Sequence, residues 1–208
     1  MSYGNGRNAP FGLQPRRLLS GALWNGQMNE YYIASGYATS LFDGDPVYVS
    51  GNGTIVIAGA GTGNPITGVF KGCKFTSTVQ GVNGNQIFSP YWPGGTVTFQ
   101  AANAIALVCD DPDLIYDVQV YSAANPPVGA AAADLYNNAN LIAAAGSTLS
   151  GLSGWNLDQT TIANDATRQL KILRFVPVPG NGPALGFNNV EVVINNNYYK
   201  GGTGTVGV

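Results

Sequence analysis

The sequence predicts an all-β fold, an antiparallel β-sandwich or small barrel of jelly-roll type with an extended N-terminal arm and little helix, and three observations predict it. Gly (29 residues), Pro (12 residues) and abundant Asn punctuate the chain, roughly every eight to twelve residues. The segments between them are short and rich in Val, Ile, Tyr, Phe and Thr, whose branched or flat side chains suit a pleated, half-buried surface. No long stretch carries apolar residues at helical spacing. At 208 residues the chain is one all-β domain in size, able to bury roughly 70% of its unfolded surface.

Residues 1–45 differ from the remainder. Ala9-Pro10-Phe11-Gly12-Leu13 and Gln14-Pro15-Arg16-Arg17 interrupt any regular element while Phe11, Leu13, Leu18, Leu19 and Trp24 remain apolar. Two readings stay open: an arm that presses these side chains into a neighbouring surface, or a segment that packs under the chain's own sheet. Residues 46–200 form the sandwich or barrel. Its strands are expected at Pro46–Ser50, Thr54–Ala58, Ile66–Phe75, Thr96–Gln100, Ala104–Cys109, Leu114–Val120, Arg168–Val176 and Asn189–Asn195.

Gly51-Asn52-Gly53 supplies residues that tolerate positive φ between the first two strands, so a β-hairpin is predicted there. Residues 59–65 (Gly-Ala-Gly-Thr-Gly-Asn-Pro) form an exposed loop. In the last strand Val190, Val192 and Ile194 alternate with Glu191, Val193 and Asn195, the period of a strand with one face more deeply buried. Helix is confined to one or two short turns within Ala130–Ala145 and Asn156–Thr167. Residues 201–208 have linker composition, mobile unless a neighbour pins them.

Charged residues make up only 10% of the chain, against about 25% in ordinary soluble domains. Such a surface must be solvated by Asn, Ser, Thr and Gly or covered by partners. With a net charge of −2 there is no field to attract polyphosphate, and the basic groups Arg7, Arg16, Arg17 and Arg168, Lys171, Arg174 are too sparse for a nucleic-acid footprint. The second group reads as a solvated strand face. No apolar run has the length of a secretion signal or a membrane span, so synthesis in the cytoplasm and no membrane partner are expected. Cys73 and Cys109 lie in apolar strand-like stretches and read as two reduced, buried thiols.

Histidine is absent, which removes the commonest general base and metal ligand; no catalytic, cofactor-binding or metal-ligating residue is assigned, and the chain is not expected to be an enzyme. The one acidic cluster, Asp110, Asp111 and Asp113 with Asp117 beyond it, reads as a turn between two strands. A cation site and a carboxylate pair for glycoside hydrolysis are the alternatives. The glycine-rich loop lacks a phosphate-binding spacing, and Gly151-Leu152-Ser153-Gly154-Trp155 lacks the glycine spacing of an esterase elbow. Loop aromatics, among them Trp24, Tyr31, Tyr32, Tyr198 and Tyr199, suit protein interfaces and sugar stacking alike.

Several segments taken in order carry a resemblance: residues 8–15 (NAPFGLQP), 29–38 (NEYYIASGYA), 42–47 (FDGDPV), 66–70 (ITGVF), 110–113 (DDPD) and 154–158 (GWNLD). Together they resemble the decoration or cement proteins of tailed-bacteriophage capsids. That resemblance implies a β-barrel or sandwich on the outer surface of the virion, bound to several copies of the major capsid protein, often as a homotrimer, and stabilising the head. In that setting Phe11, Leu13, Arg16, Arg17 and Trp24 are the expected capsid-binding residues. A carbohydrate-binding or host-attachment virion protein is the alternative.

Overall fold

The computed structural model describes residues 7–34, 36–76, 85–96, 104–201, 204 and 207. Among them are thirteen strands: β1 (Gln14–Leu18), β2 (Asn29–Ile33), β3 (Pro46–Val49), β4 (Thr54–Ile57), β5 (Gly68–Thr76), β6 (Gln86–Ser89), β7 (Ile105–Cys109), β8 (Leu114–Tyr121), β9 (Asn138–Ala139), β10 (Leu141–Ile142), β11 (Asn156–Asp158), β12 (Leu170–Phe175) and β13 (Asn189–Ile194). The all-β expectation holds. Residues 97–100 of the strand expected at Thr96–Gln100 lie outside the described residues.

The strands form two sheets. The first runs β10-β11-β8-β13-β12-β9, with β1 also on β8; the second runs β3-β4-β2-β7-β5-β6. Because β3 pairs with β5 as well as with β4, the pairings β3–β4–β2–β7–β5–β3 close a ring, and β6 hangs on it from β5. A closed ring has no free edge of its own. Neither sheet is purely antiparallel: β2 runs parallel to β4, and β11 parallel to β8.

The predicted hairpin is β3–β4, with Val47 opposite Ile57 and Gly53 at φ 72° closing the turn onto the Ser50 carbonyl. The two helical segments each shrink to one 3-10 turn, Ala132–Asp134 and Gln159–Thr161. Polar Asn137, Asn138 and Asn140 divert the chain into β9 and the sheet.

Two apolar cores follow from the two sheets. Ile33, Val47, Ile55, Phe70, Cys73, Ala106, Val108 and Trp92 fill the ring. Tyr116, Val118, Val120, Leu157, Ile172 and Val192 of the first sheet pack against Val69 and Cys109 of the second, and against Ile66 just ahead of β5, to form the other. Both thiols are free and buried, and burial pushes each up to about 12.

The N-terminal segment is woven into both sheets, which corrects the picture of an arm ahead of the domain. β1 pairs antiparallel with β8, and the register shift between Pro15 and Arg17 is what lets a proline sit in that ladder. β2 belongs to the ring. Just before β1, Gly12 passes so close to Gly44 that a Cβ there would lie 2.4 Å from the Gly44 carbonyl oxygen. Of the tail, Gly204 and Gly207 pack against Asn195 and Asn137, where a Cβ would collide with each asparagine.

Candidate interaction surface

The five residues expected on an outward-facing arm separate. Leu13 is fully buried and Phe11 nearly so, both within the chain's own core, so the second of the two sequence readings describes them. Arg16 reaches Asp117 at 3.0 Å, and Arg17 reaches Glu191 at 2.7 Å. These arginines neutralise acidic side chains on the face of the first sheet away from its apolar core, and Glu191 there has no exposed surface. Arg174 shares the same carboxylate while its side chain stays about half exposed, in keeping with the reading of this group as a solvated strand face. Only Trp24 lies at a surface groove.

That groove, of about 1250 Å³, forms where the chain twice crosses between the sheets. The loop of residues 19–28 carries it from β1 in the first sheet to β2 in the second; the turn of residues 110–113 carries it back from β7 to β8. The first crossing begins with a tight turn: Leu18 N–H donates to the Ala22 carbonyl and Gly21 N–H to the Leu18 carbonyl, with Gly21 at φ 92°. The Trp24 indole Nε1 then donates to the Gln27 carbonyl at 3.3 Å. This local folding leaves Leu19, Leu23 and Met28 facing solvent, Leu23 at 80% exposure.

The second crossing is the Asp-Pro turn read from the sequence. Asp113 N–H donates to Asp111 Oδ1 at 2.8 Å and Leu114 N–H to the Asp111 carbonyl at 3.2 Å. Asp110, at the end of β7, lies beside β2 because β2 and β7 are paired, Asn29 with Val108 and Tyr31 with Ala106. The Asn29 amide therefore donates to both Asp110 oxygens, at 2.9 and 3.0 Å, and the Tyr31 hydroxyl donates to Oδ2. Burial, and next the bond to Asp110, raise the Tyr31 pKa and hold the phenol protonated.

The third wall comes from beyond β13. Asn197 caps the 3-10 turn Tyr198–Lys200 through its side chain, and Lys200 ties that turn to Asp113 at 2.6 Å. Tyr199 is thereby placed with its hydroxyl against that of Tyr31. Behind it Tyr198 stands edge-on to both Tyr48 and Tyr199, with ring centroids 5.6 and 5.7 Å apart. The result is an apolar and aromatic rim over a hydrogen-bonded carboxylate.

A second depression, of about 580 Å³, lies between Phe42, Ile57, Trp155 and the alanines of residues 143–145. Beneath it the buried Asp45 carboxylate accepts the Phe42 N–H at 2.8 Å. Burial raises its pKa to about 6, against the lowering effect of Ser153 and the Phe42 N–H. Among the described residues no three acidic or thiol side chains converge in a way that would hold a metal ion.

Sequence reasoning named Trp24 and singled out Tyr31, Tyr199 and Asp110 as types, but did not bring them together. Leu23 and Met28 carried no signal, being single apolar residues in a polar loop. Comparison of the chain with protein-family models, with curated proteins and with solved structures finds no match.

Proposed function

We propose that the chain is a viral structural protein, a decoration or cement protein that binds the outer surface of a bacteriophage major capsid protein lattice and stabilises the head. The observation that carries this reading is the exposed rim of Leu23, Met28 and Tyr199 on a chain of which only 10% is charged. Large apolar side chains gathered at one groove mark a surface used for association. The resemblance of the ordered sequence segments to capsid decoration proteins supports the same reading and supplies the partner.

The mode of action is multivalent adhesion: a homo-oligomer, with a trimer favoured, engages several capsid subunits at once, so modest single contacts add to a firm attachment. Contacts come from the β1–β2 loop in place of Phe11 and Leu13. Light scattering on the purified protein, followed by mixing with empty capsids and electron microscopy, tests the reading. A trimer that decorates the shell at regular positions is expected; a protein that leaves the shells bare overturns it.

A second reading has its own observation. Trp24, Tyr31 and Tyr199 stand beside the hydrogen-bonding groups of Asn29 and Asp110, the pairing of flat faces and polar groups that suits a sugar ring. Occupation of this groove in a glycan screen, with shells left bare, would make the chain a carbohydrate-binding virion protein.

A further inference from the structure

The charge of the groove specifies what it takes. Among the described residues Glu30, Asp110 and Asp111 line it, and no lysine or arginine does. Glu30 is paired with Lys74, and the adjacent Asp113 with Lys200. Among the described residues Asp110 instead receives only neutral donors, the Asn29 amide and the Tyr31 hydroxyl, and Asp111 receives the Asp113 backbone N–H. Neutral donors fix a carboxylate in place without cancelling its charge. Two oriented, uncompensated carboxylates thus face a groove whose walls are Leu23, Trp24, Met28 and Tyr199.

We propose that this groove docks a polypeptide segment in which lysine or arginine is flanked by apolar residues, the cation set against Asp110 and Asp111 and the apolar side chains along Leu23, Trp24 and Met28. Complementary charge selects and orients such a segment, while the apolar contacts and the faces of Trp24 and Tyr199 hold it. Identifying the segment with the major capsid protein rests on the decoration reading; the chemistry of the groove does not.

The test is an NMR titration of the full-length, isotope-labelled protein with acetyl-Leu-Arg-Leu-Lys-Leu-amide, alongside the same peptide carrying glutamate at both charged positions. The basic peptide is expected to shift the Trp24 indole signal and the amide signals of residues 23–31, and the acidic one to leave them in place. Replacing both carboxylates (Asp110→Asn with Asp111→Asn) is expected to weaken binding by about tenfold, and raising the salt concentration weakens the wild type in the same direction. Should the double variant not fold, Leu23→Ser at a solvent-facing position and the salt series on wild type carry the test. Equal binding of both peptides, or no shift with the basic one, overturns the proposal.

Co-sedimentation with empty capsids separates the two levels. Wild-type protein that binds shells, together with Asp110→Asn/Asp111→Asn and Leu23→Ser proteins that bind them equally well, leaves the decoration reading standing and overturns the groove. Wild-type protein that takes the basic peptide in the groove but ignores shells removes the capsid and supports the groove chemistry.

Discussion

The guanidinium of Arg174 forks onto the carboxylate of Glu191, Nε to Oε2 at 2.8 Å and Nη2 to Oε1 at 2.8 Å. Arg17 adds a third contact from β1, Nη2 to Oε2 at 2.7 Å, so strands from the two ends of the chain meet on one fully buried side chain. Removing the charge strands two cations. Glu191→Gln is expected to lower stability by about 2–3 kcal/mol, below the usual cost of orphaning a buried charge because both arginines reach solvent. Urea denaturation of the variant measures it.

The same carboxylate sets an acid limit. Burial raises its pKa, but the hydrogen bonds from Arg174 and Arg17 outweigh that and hold it below the ordinary 4.5. A depressed folded-state pKa contributes stability that is present above the unfolded value and lost as pH falls through the folded one. Stability measured by thermal melts is expected to fall from about pH 4.5 downward, and in Glu191→Gln this part of the acid dependence disappears.

Asp45 acts with the opposite sign. Its pKa rises from 3.8 to about 6, first through burial, with Asp43 the nearby charge that adds to it. A raised folded-state value gives stability that is fully present below pH 3.8 and lost as pH rises through about 6. Asp45→Asn, whose side-chain carbonyl can still accept the Phe42 N–H, is expected to flatten the curve between pH 4 and 6 and to stabilise the protein at pH 7 by about 2 kcal/mol. An unchanged curve in parallel melts at pH 4 and pH 7 would show that another group titrates there.

Gly12, just before β1, and Gly21, in the turn just after it, form a paired test of the two ends of that strand. Both have positive φ, 69° and 92°, but a Cβ at Gly12 would lie 2.5 Å from Ser153 Cβ while one at Gly21 meets open space. Gly21→Ala is expected to cost about 1 kcal/mol of backbone strain. Gly12→Ala is expected to cost roughly 3 kcal/mol or more, or to prevent folding, because backbone must move to make room. Expression yield and denaturation midpoints distinguish them.

The thiols supply a probe of opening. With both pushed up to about 12 by burial, neither Cys73 nor Cys109 is expected to react with a disulfide reagent at pH 8 in the folded protein. Both react once the protein unfolds, so labelling kinetics followed by mass spectrometry report the opening rate.

What could be read from the sequence was whatever a local pattern encodes. Gly51-Asn52-Gly53 forced the β3–β4 hairpin, and the alternation of Val190, Val192 and Ile194 marked the core face of β13. Glu191 shows where that reasoning stopped: alternation assigned it to the less buried face, yet arginines from β1 and β12 cover it completely. β1 itself was hidden because Pro15 argues against a strand, and only the bulge beside it admits the residue. The groove was legible residue by residue, but Tyr31, Asp110 and Tyr199 meet through the β2–β7 pairing and the capped turn after β13, neither of which leaves a trace in spacing.

The long reach of Arg17 also fixes a timetable. Its partner Glu191 lies 174 residues further along the chain, and a ribosome needs roughly 9–35 s to cover that distance. Until then β1 can pair with β8, but the first sheet lacks β12 and β13 and Arg17 lacks its carboxylate. The groove is subject to the same delay, since Tyr199 is among the last of its walls to emerge. A copy that stops short of Tyr199 therefore lacks one wall of the groove, so the groove takes its full form late in the order of synthesis.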